Sequence, residues 1–320
     1  MSNHTEEQHA HQCVHDHGHN HQHPPDEDEH EHEHVQGERD QPGHLHDHQH
    51  QHQHQCHGHD HGQGHSHEHG HTHGQGDDLW SGRDYMSMPG VKETAVISTE
   101  TVIYALTSAG LTKEDVAKLD LLEIGCGPGA VTTNLLHHFS TIHAIDTSPS
   151  MLTSFSTHHP PSSNPKLTYS LHSLSSSSPK AFDSREPMLS PTVDDPERKI
   201  VPPRNRFDVA VANLVLHHVD DVKSFMEGVV GLLKSGGWIV FTEFGRDESE
   251  GYNNDAKTLP DGSVNAPNHF HPAYTTETLS TVLTDAGLDD VHAEVKGRLP
   301  VFGVDKPYQP PGLVVRGRKP

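Results

Sequence analysis

From Leu119 onward the sequence predicts an α/β fold, a mostly parallel sheet covered by helices on both faces. Three observations predict it. Short apolar runs with strand character alternate with segments of helical periodicity, the first run passes directly into a glycine-rich turn, and the next run ends on a carboxylate, Asp146.

The chain before this point is different in kind. Of 36 histidines, 25 precede Gly74, and up to Asp78 there are 16 acidic residues against one basic residue, Arg39. That segment carries a charge of −15 out of −23 for the whole chain with neutral histidine, which leaves −8 for an ordinary remainder of about 240 residues. Such a length suits one domain with insertions. Residues 1–76 have almost nothing apolar to bury and are expected to be disordered, because nothing offsets the entropy of ordering them. Neutral imidazoles at this density suit loosely bound Zn²⁺, Ni²⁺ or Cu²⁺. Two other readings stand beside metal binding: a solubility tail whose charge swings on mild acidification, and an extension without a selected role.

Composition also excludes classes. The acidic balance argues against broad nucleic-acid binding, which needs a basic face. No run approaches the roughly 18 apolar residues of a membrane span, and the polar N-terminus lacks the pattern of a signal peptide. The N-terminal stretch is acidic and nearly lacks arginine, unlike a transit peptide, so a cytoplasmic or nuclear location is expected over a mitochondrial one. Cys13, Cys56 and Cys126 have no paired spacing, against a disulfide framework or a C-x-x-C site.

In order along the chain, residues 77–118 read as a tether followed by N-terminal helices, and residues 119–320 as the main domain. Asp77 to Val96, with Trp80 and Tyr85, reads as the tether. A helix follows from Ile97 to Ala109, stopped by Gly110, and a second from Leu111 to Lys118 with Thr112 as N-cap and Asp115 three residues on. Strand one is Leu121 to Ile124, then a helix from Ala130 to Phe139, strand two at Thr141 to Ile145, a helix around Ser150 to Phe155, and a strand at Leu167 to Leu171. Residues 173–205 are dense in Ser and Pro and read as a flexible insertion. Strand four is Phe207 to Ala212, a helix covers Asp221 to Leu233, Lys234-Ser235-Gly236-Gly237 is a turn, and strand five is Trp238 to Glu243. After a polar excursion from Gly245 to His269, a helix from Thr276 to Ala286 closes at Gly287. Strands around Val291 to Val295 and Leu313 to Arg318 end the chain, far enough apart to pair antiparallel.

The segment Leu121-Leu122-Glu123-Ile124-Gly125-Cys126-Gly127-Pro128-Gly129 is the most informative. Residues without Cβ let the backbone approach a ligand closely, and the helix behind them presents unpaired N–H groups. Asp146, 17 residues after Gly129, can accept from two ribose hydroxyls. Together they specify a ligand containing a nucleoside. Gly125-x-Gly127-x-x-Ala130 also satisfies the dinucleotide fingerprint. Glu123 decides between the two, since a carboxylate beside the turn opposes a pyrophosphate and suits a ligand amino group.

These residues, with Phe207-Asp208-Val209-Ala210-Val211-Ala212-Asn213-Leu214-Val215-Leu216-His217-His218-Val219 and Leu232-Leu233-Lys234-Ser235-Gly236-Gly237-Trp238, resemble the class I S-adenosylmethionine-dependent methyltransferases. Among them they resemble the small-molecule type 11/12 group that includes ubiquinone and menaquinone methyltransferases, over roughly Leu119 to Val295. The resemblance implies a Rossmann-like seven-stranded sheet whose last strand is antiparallel and inserted between two others. It implies S-adenosylmethionine as cofactor, with the turn of Gly125, Cys126, Gly127 and Gly129 on its methionine part and Glu123 at its amino group. Asp146 would take the ribose, with Thr147 and Met151 next to it, and Asn213 and Leu214 would lie near the sulfonium and the entering substrate. Many relatives carry an acidic residue after strand three for the adenine amino group; Leu171-His172-Ser173-Leu174 has none, and no adenine contact is assigned.

Methyl transfer from a sulfonium is an in-line displacement in which the protein chiefly aligns the groups, with a base needed only where the acceptor holds its proton. His217 and His218 are the candidates for that base, the alternative being that they line the pocket; Glu243 is a second candidate. The excursion before Tyr274, with His269-x-His271, would pass over the mouth of the sheet and either shape the acceptor pocket or form a plain polar loop. H-x-H alone is weak, so no metal site is assigned there. Trp80 and Tyr85 would either face the sulfonium or anchor the tether. Cys126 reads as a small buried filler and not as a nucleophile. The expected function is methyl transfer to a small-molecule acceptor. A protein methyltransferase, or a metal buffer acting through the histidine tail, are the alternatives.

Overall fold

The computed structural model describes residues 84–203, 206–246, 257–258, 264–265, 274–300 and 309–320. Trp80, His269, His271 and the histidine-rich segment lie outside the described residues.

The elements run α1 (Val91–Ser108), α2 (Lys113–Val116), β1 (Asp120–Ile124), α3 (Ala130–Leu135), β2 (Thr141–Asp146), α4 (Pro149–His158), β3 (Leu167–Leu171), α5 (Ser178–Ser184), β4 (Met188–Leu189), β5 (Lys199–Ile200), β6 (Phe207–Asn213), α6 (Val222–Leu232), β7 (Leu233–Phe244), β8 (Lys257–Thr258), β9 (Val264–Asn265), α7 (Thr276–Asp285), β10 (Asp289–Arg298) and β11 (Pro311–Arg318). Seven strands form one sheet in the order β10-β11-β7-β6-β1-β2-β3. β11 is antiparallel to both β10 and β7, and the pairs from β7 to β3 are parallel. The last strand is therefore inserted between two others and runs against the remaining six, as expected from the sequence. β4 with β5 and β8 with β9 make two short hairpin pairs outside it.

Successive residues of the central strands face opposite layers, and both layers are dry. Leu121, Val209, Val211 and Val240 pack with α1, α3 and α4 through Val102, Leu106, Leu135, Leu152 and Phe155. Leu122, Ala210, Ala212, Ile239 and Phe241 pack with α5, α6 and α7 through Phe182, Phe225, Met226, Val229, Leu279 and Leu283. Burial on both faces is why these strands read as continuous apolar runs.

Four expectations are corrected. α1 begins at Val91, six residues before the expected start, so the end of the supposed tether is the first turns of this helix. Its early buried face is Val91, Thr94, Ala95, Ser98 and Thr99, and hydroxyl residues do not read as an apolar stripe, although Thr99 settles its hydroxyl on the Ala95 carbonyl at 2.8 Å. The Ser/Pro segment is not a bare flexible loop in its described part: it contains α5 and the β4–β5 pair, and Phe182 and Ser190 are fully buried. Lys234 to Gly237 form no turn between elements but bulge out within β7, where the register with β6 jumps from Phe207↔Leu233 to Val209↔Trp238. The helix expected to reach Phe139 ends at Leu135, followed by backbone bonds of the last turn from His137 to Asn134 and from His138 to Leu135.

Candidate active site

The chain leaves β1 toward β2 and β3 on one side and returns to β6 on the other, so a crevice opens at the carboxyl ends of β1 and β6. The glycine turn lies on one wall of it and residues 213–218 on the other.

Gly125, Gly127 and Gly129 have φ of 67°, 52° and 92°, a region that L side chains avoid. Their needs differ. A Cβ on Gly125 would collide with Val215 Cγ2 and one on Gly129 with the His159 ring, whereas one on Gly127 would meet nothing within 4 Å. Gly127 is thus the open face of the turn. The turn is tied to β2 by bonds from the N–H groups of Gly125 and Cys126 to the Ile145 carbonyl, at 2.8 and 3.1 Å. Asp146 completes the tie: Oδ2 accepts from Gly127 N–H at 2.8 Å and Oδ1 from Ser148 N–H at 2.9 Å. Ser148 in turn caps α4, its hydroxyl accepting from Met151 N–H at 3.1 Å, with Pro149 at the first helical position. Thr147 is exposed, and Met151 is buried outside both core layers.

Glu123 is 3 % exposed, and its Oε2 has no hydrogen-bond partner among the described residues, nor has the buried hydroxyl of Thr132. Burial raises its carboxyl to about 8, with the Asp146 carboxylate adding to it and the nearby Thr132 hydroxyl, outside hydrogen-bond geometry, opposing it. A buried acid left in this condition is costly unless something positive settles on it. The Cys126 thiol is pushed up chiefly by burial, with Asp146 and Glu123 adding, and so stays protonated and unreactive. The Tyr85 phenol is likewise pushed up, by burial first and then by Asp146, which brings Tyr85 to the Asp146 side of the crevice.

On the opposite wall, Asn213 Oδ1 accepts from the Thr242 hydroxyl at 2.5 Å, and Leu214, whose N–H reaches the Thr242 carbonyl at 2.9 Å, has φ of 55°. A leucine in that region costs about 1–2 kcal/mol, strain of the kind that collects at working sites. A short 3-10 turn from Leu216 to His218 follows. His217 Nδ1 lies 2.7 Å from Glu243 Oε2, and Glu243 Oε1 accepts from Leu216 N–H at 2.6 Å. Their side chains are 8 % and 1 % exposed. His218 is exposed, with its ring 4.1 Å from that of His217. The Tyr274 hydroxyl donates to the Leu216 carbonyl at 3.3 Å, and burial followed by Glu243 raises the phenol to about 12.

Glu123, the glycines, Asp146, Asn213, Leu214 and His217 therefore lie at the carboxyl ends of β1, β2 and β6 or in the segments that follow them. The sequence reading did not single out Thr132, Val215, Ser148 or His159. Ser148-Pro149 carries a helix-start signal that could have flagged Ser148; nothing local marks the other three, which matter through contacts distant in sequence.

The arrangement suits a ligand with an ammonium and a ribose. Glu123 Oε2 is a buried acceptor without a donor, and the space over Gly127 is open. Among the described residues no group of three or more His, Cys, Asp or Glu could hold a metal, and no helix is long and apolar enough to cross a membrane.

A family model described as "Methyltransferase domain" matches residues 100–293. Among solved structures the chain is similar to an S-adenosylmethionine-dependent methyltransferase from Methanosarcina mazei, at 19 % identity and TM-score 0.45, over 68 % of this chain and 97 % of that one. It is similar to the N-methyltransferase NodS from Bradyrhizobium japonicum at 19 % identity and TM-score 0.41, over 69 % and 97 %. It is similar also to magnesium protoporphyrin IX methyltransferase from Synechocystis, a structure with bound S-adenosylhomocysteine, at 12 % identity and TM-score 0.43, over 72 % and 84 %. No curated protein matches the chain.

Proposed function

The chain belongs to the methyltransferase-domain family and is a class I S-adenosylmethionine-dependent methyltransferase, and from that premise we propose that it methylates a small-molecule acceptor with His217 as the base. The observation that carries the reading is the His217–Glu243 pair beside the glycine turn. The Glu243 carboxylate accepts at both oxygens, so His217 carries a proton on Nδ1 and donates it there, with Nε2 the ring nitrogen left for an acceptor. A base this enclosed suits an acceptor that enters the crevice more than a site on another protein's surface.

S-adenosylmethionine, when bound, supplies a methyl group already activated on a sulfonium. The residues present fit it: Glu123 would take the ammonium, Gly125 to Gly129 the methionine part, Asp146 the ribose with Thr147 and Met151 beside it, and Asn213 and Leu214 the region of the reacting carbon. Glu123 and the open face of Gly127 are the observations that support this assignment. His217 Nε2 would take the proton that the acceptor loses on methylation. The Leu214 bond to Thr242 holds the segment carrying His217 against β7, and the Tyr274 hydroxyl holds it from the Leu216 carbonyl. A cytoplasmic setting accompanies this reading.

Calorimetric titration of S-adenosylmethionine and S-adenosylhomocysteine, with Gly127→Arg as control, tests the cofactor site. Transfer of a labelled methyl group into a cell extract, separated into small-molecule and protein fractions, tests the acceptor class. Label in the small-molecule fraction is expected, and label confined to a polypeptide would replace this reading by that of a protein methyltransferase.

A further inference from the structure

We infer that His159 is a positioning residue for cofactor binding, holding the glycine turn from the side opposite Asp146. The inference rests on the reading that this turn holds S-adenosylmethionine. His159 is 8 % exposed, at the end of α4, and its ring tilts against Phe155 with centroids 4.7 Å apart. Nε2 lies 3.2 Å from the Gly129 carbonyl oxygen and 3.3 Å from the Thr133 hydroxyl. The ring also fills the space that a side chain at position 129 would need, with Nε2 2.6 Å from where its Cβ would be.

The proton position follows from the partners. A carbonyl oxygen only accepts, and the Thr133 hydroxyl spends its proton on the same Gly129 oxygen at 2.9 Å. Both groups facing Nε2 are therefore acceptors, so Nε2 carries the proton and donates. Burial holds the ring below its ordinary pKa, consistent with a neutral donor.

This contact has a consequence on the far side of one peptide bond. The Gly129 carbonyl and the Ala130 N–H belong to the same planar trans unit and point in opposite directions. Holding the carbonyl toward His159 turns the Ala130 N–H, which has no intrahelical partner at the start of α3, away from it. The β2–α4 unit thus holds the turn along its length, Ile145 on the Gly125 and Cys126 N–H groups, Asp146 on the Gly127 N–H and His159 on the Gly129 carbonyl. The Gly129 carbonyl also accepts the first intrahelical bond of α3, from Thr133 N–H at 3.0 Å, and His159 adds a donor from outside that helix.

The test uses the full chain and S-adenosylhomocysteine in a calorimeter, with thermal unfolding alongside. His159→Phe keeps the ring and deletes the donor; it is expected to weaken binding about tenfold, with a melting midpoint within a few degrees of wild type. His159→Gln restores an N–H donor and is expected to recover binding to within about threefold of wild type. Thr133→Val removes the second partner and is expected to cost about threefold. Unchanged affinity in the Phe and Val variants, or equal losses in Phe and Gln, overturns the role. Where the Phe variant does not melt cooperatively, Thr133→Val decides. A wild-type chain that binds no cofactor overturns the underlying site reading instead, an outcome distinct from binding that the variants leave untouched.

Discussion

His217 and Glu243 come from opposite ends of a 26-residue span, yet Nδ1 of one lies 2.7 Å from Oε2 of the other. The parallel pairing of β6 with β7 places them there, because each strand delivers its final residues to the same edge of the sheet. Removing His217 as Ala is expected to lower kcat by about 10²–10⁴ for an acceptor that must lose a proton. Glu243→Gln keeps the Leu216 contact and removes the charge; a loss of about tenfold in kcat with an altered pH–rate profile is expected. S-adenosylhomocysteine affinity should be unchanged in both, and unaltered turnover in His217→Ala would remove the base assignment.

The proposed place of Glu123 at the cofactor ammonium carries a proton signature. With its carboxyl at about 8, most molecules hold it protonated at pH 7. An ammonium settling on Oε2 favours the ionised form, so binding of S-adenosylhomocysteine at pH 7 should release most of one proton. Calorimetry in buffers of different ionisation enthalpy reads this as a slope, which should fade toward pH 9 and vanish in Glu123→Gln. The ligand-free protein should show the matching stability effect. A pKa raised from 4.5 to about 8 gives a contribution fully present below 4.5 and lost as pH rises through about 8. A zero slope at pH 7 would put the ammonium elsewhere.

Gly127 and Asp146 separate binding from folding. Gly127→Arg places a side chain in the open space over the turn and pays about 1–2 kcal/mol for φ of 52°. It is expected to abolish detectable cofactor binding while the protein still melts cooperatively. Asp146→Ala leaves two N–H groups of the turn region without their acceptor, so it should lose both affinity and roughly 1–3 kcal/mol of stability. Denaturant unfolding beside calorimetry distinguishes the two.

What the sequence made legible was whatever depends on neighbours in the chain. Glu123 to Gly129 form one strand end and one turn, and their conformation follows from three glycines within five residues. Strand boundaries in the central sheet agree to within two residues for β1, β2, β3 and β6, the central strands β1 and β6 because both faces are buried, and the edge strand β3 because its residues alternate. What escaped depends on packing across the sheet. Val215 explains why residue 125 has no side chain, and His159 why residue 129 has none, and neither contact has a local signal. The start of α1 escaped because Thr94, Ser98 and Thr99 serve as core residues. The pairing of His217 with Glu243 needed the register of two strands, although both residues had been singled out separately.

His143 is a stability element on β2. Its ring is buried, with Nδ1 2.8 Å from the Thr168 hydroxyl and Nε2 3.1 Å from that of Ser170, and burial lowers its pKa from 6.5 to about 3. The unfolded chain binds a proton here that the folded chain refuses. The contribution is therefore present above 6.5 and is lost as pH falls through about 3, at up to ~1.4 kcal/mol per pH unit in between. Glu123 contributes a slope of the opposite sign between pH 4.5 and 8, so the His143 slope should appear in the difference between wild type and His143→Gln, each unfolded by denaturant from pH 7 to 4.

Phe182 tests whether the Ser/Pro segment belongs to the core. α5 is seven residues long and starts among four consecutive serines, so its own propensity is weak and its position comes from outside. Phe182 supplies that anchor: it is 1 % exposed, with edge contacts to the rings of His143 at 5.6 Å, His172 at 5.2 Å and Phe207 at 6.3 Å. Ser178 adds a second attachment, with its hydroxyl 2.8 Å from His172 Nε2 and accepting from Ser175 N–H at 2.9 Å. A flexible insertion would tolerate loss of the ring with little cost. A core residue would lose its transfer energy and leave a cavity against β2 and β6, so Phe182→Ala is expected to destabilise the domain by about 3–5 kcal/mol. Ser176→Ala, at an exposed neighbour, should stay within about 0.5 kcal/mol. His172 N–H bonds the Asp146 carbonyl at 2.9 Å, so loosening α5 should also reach the Asp146 side of the proposed cofactor site. A measurable rise in the Kd for S-adenosylhomocysteine is expected in Phe182→Ala, and a variant that lost neither stability nor affinity would return the segment to the status of a loop.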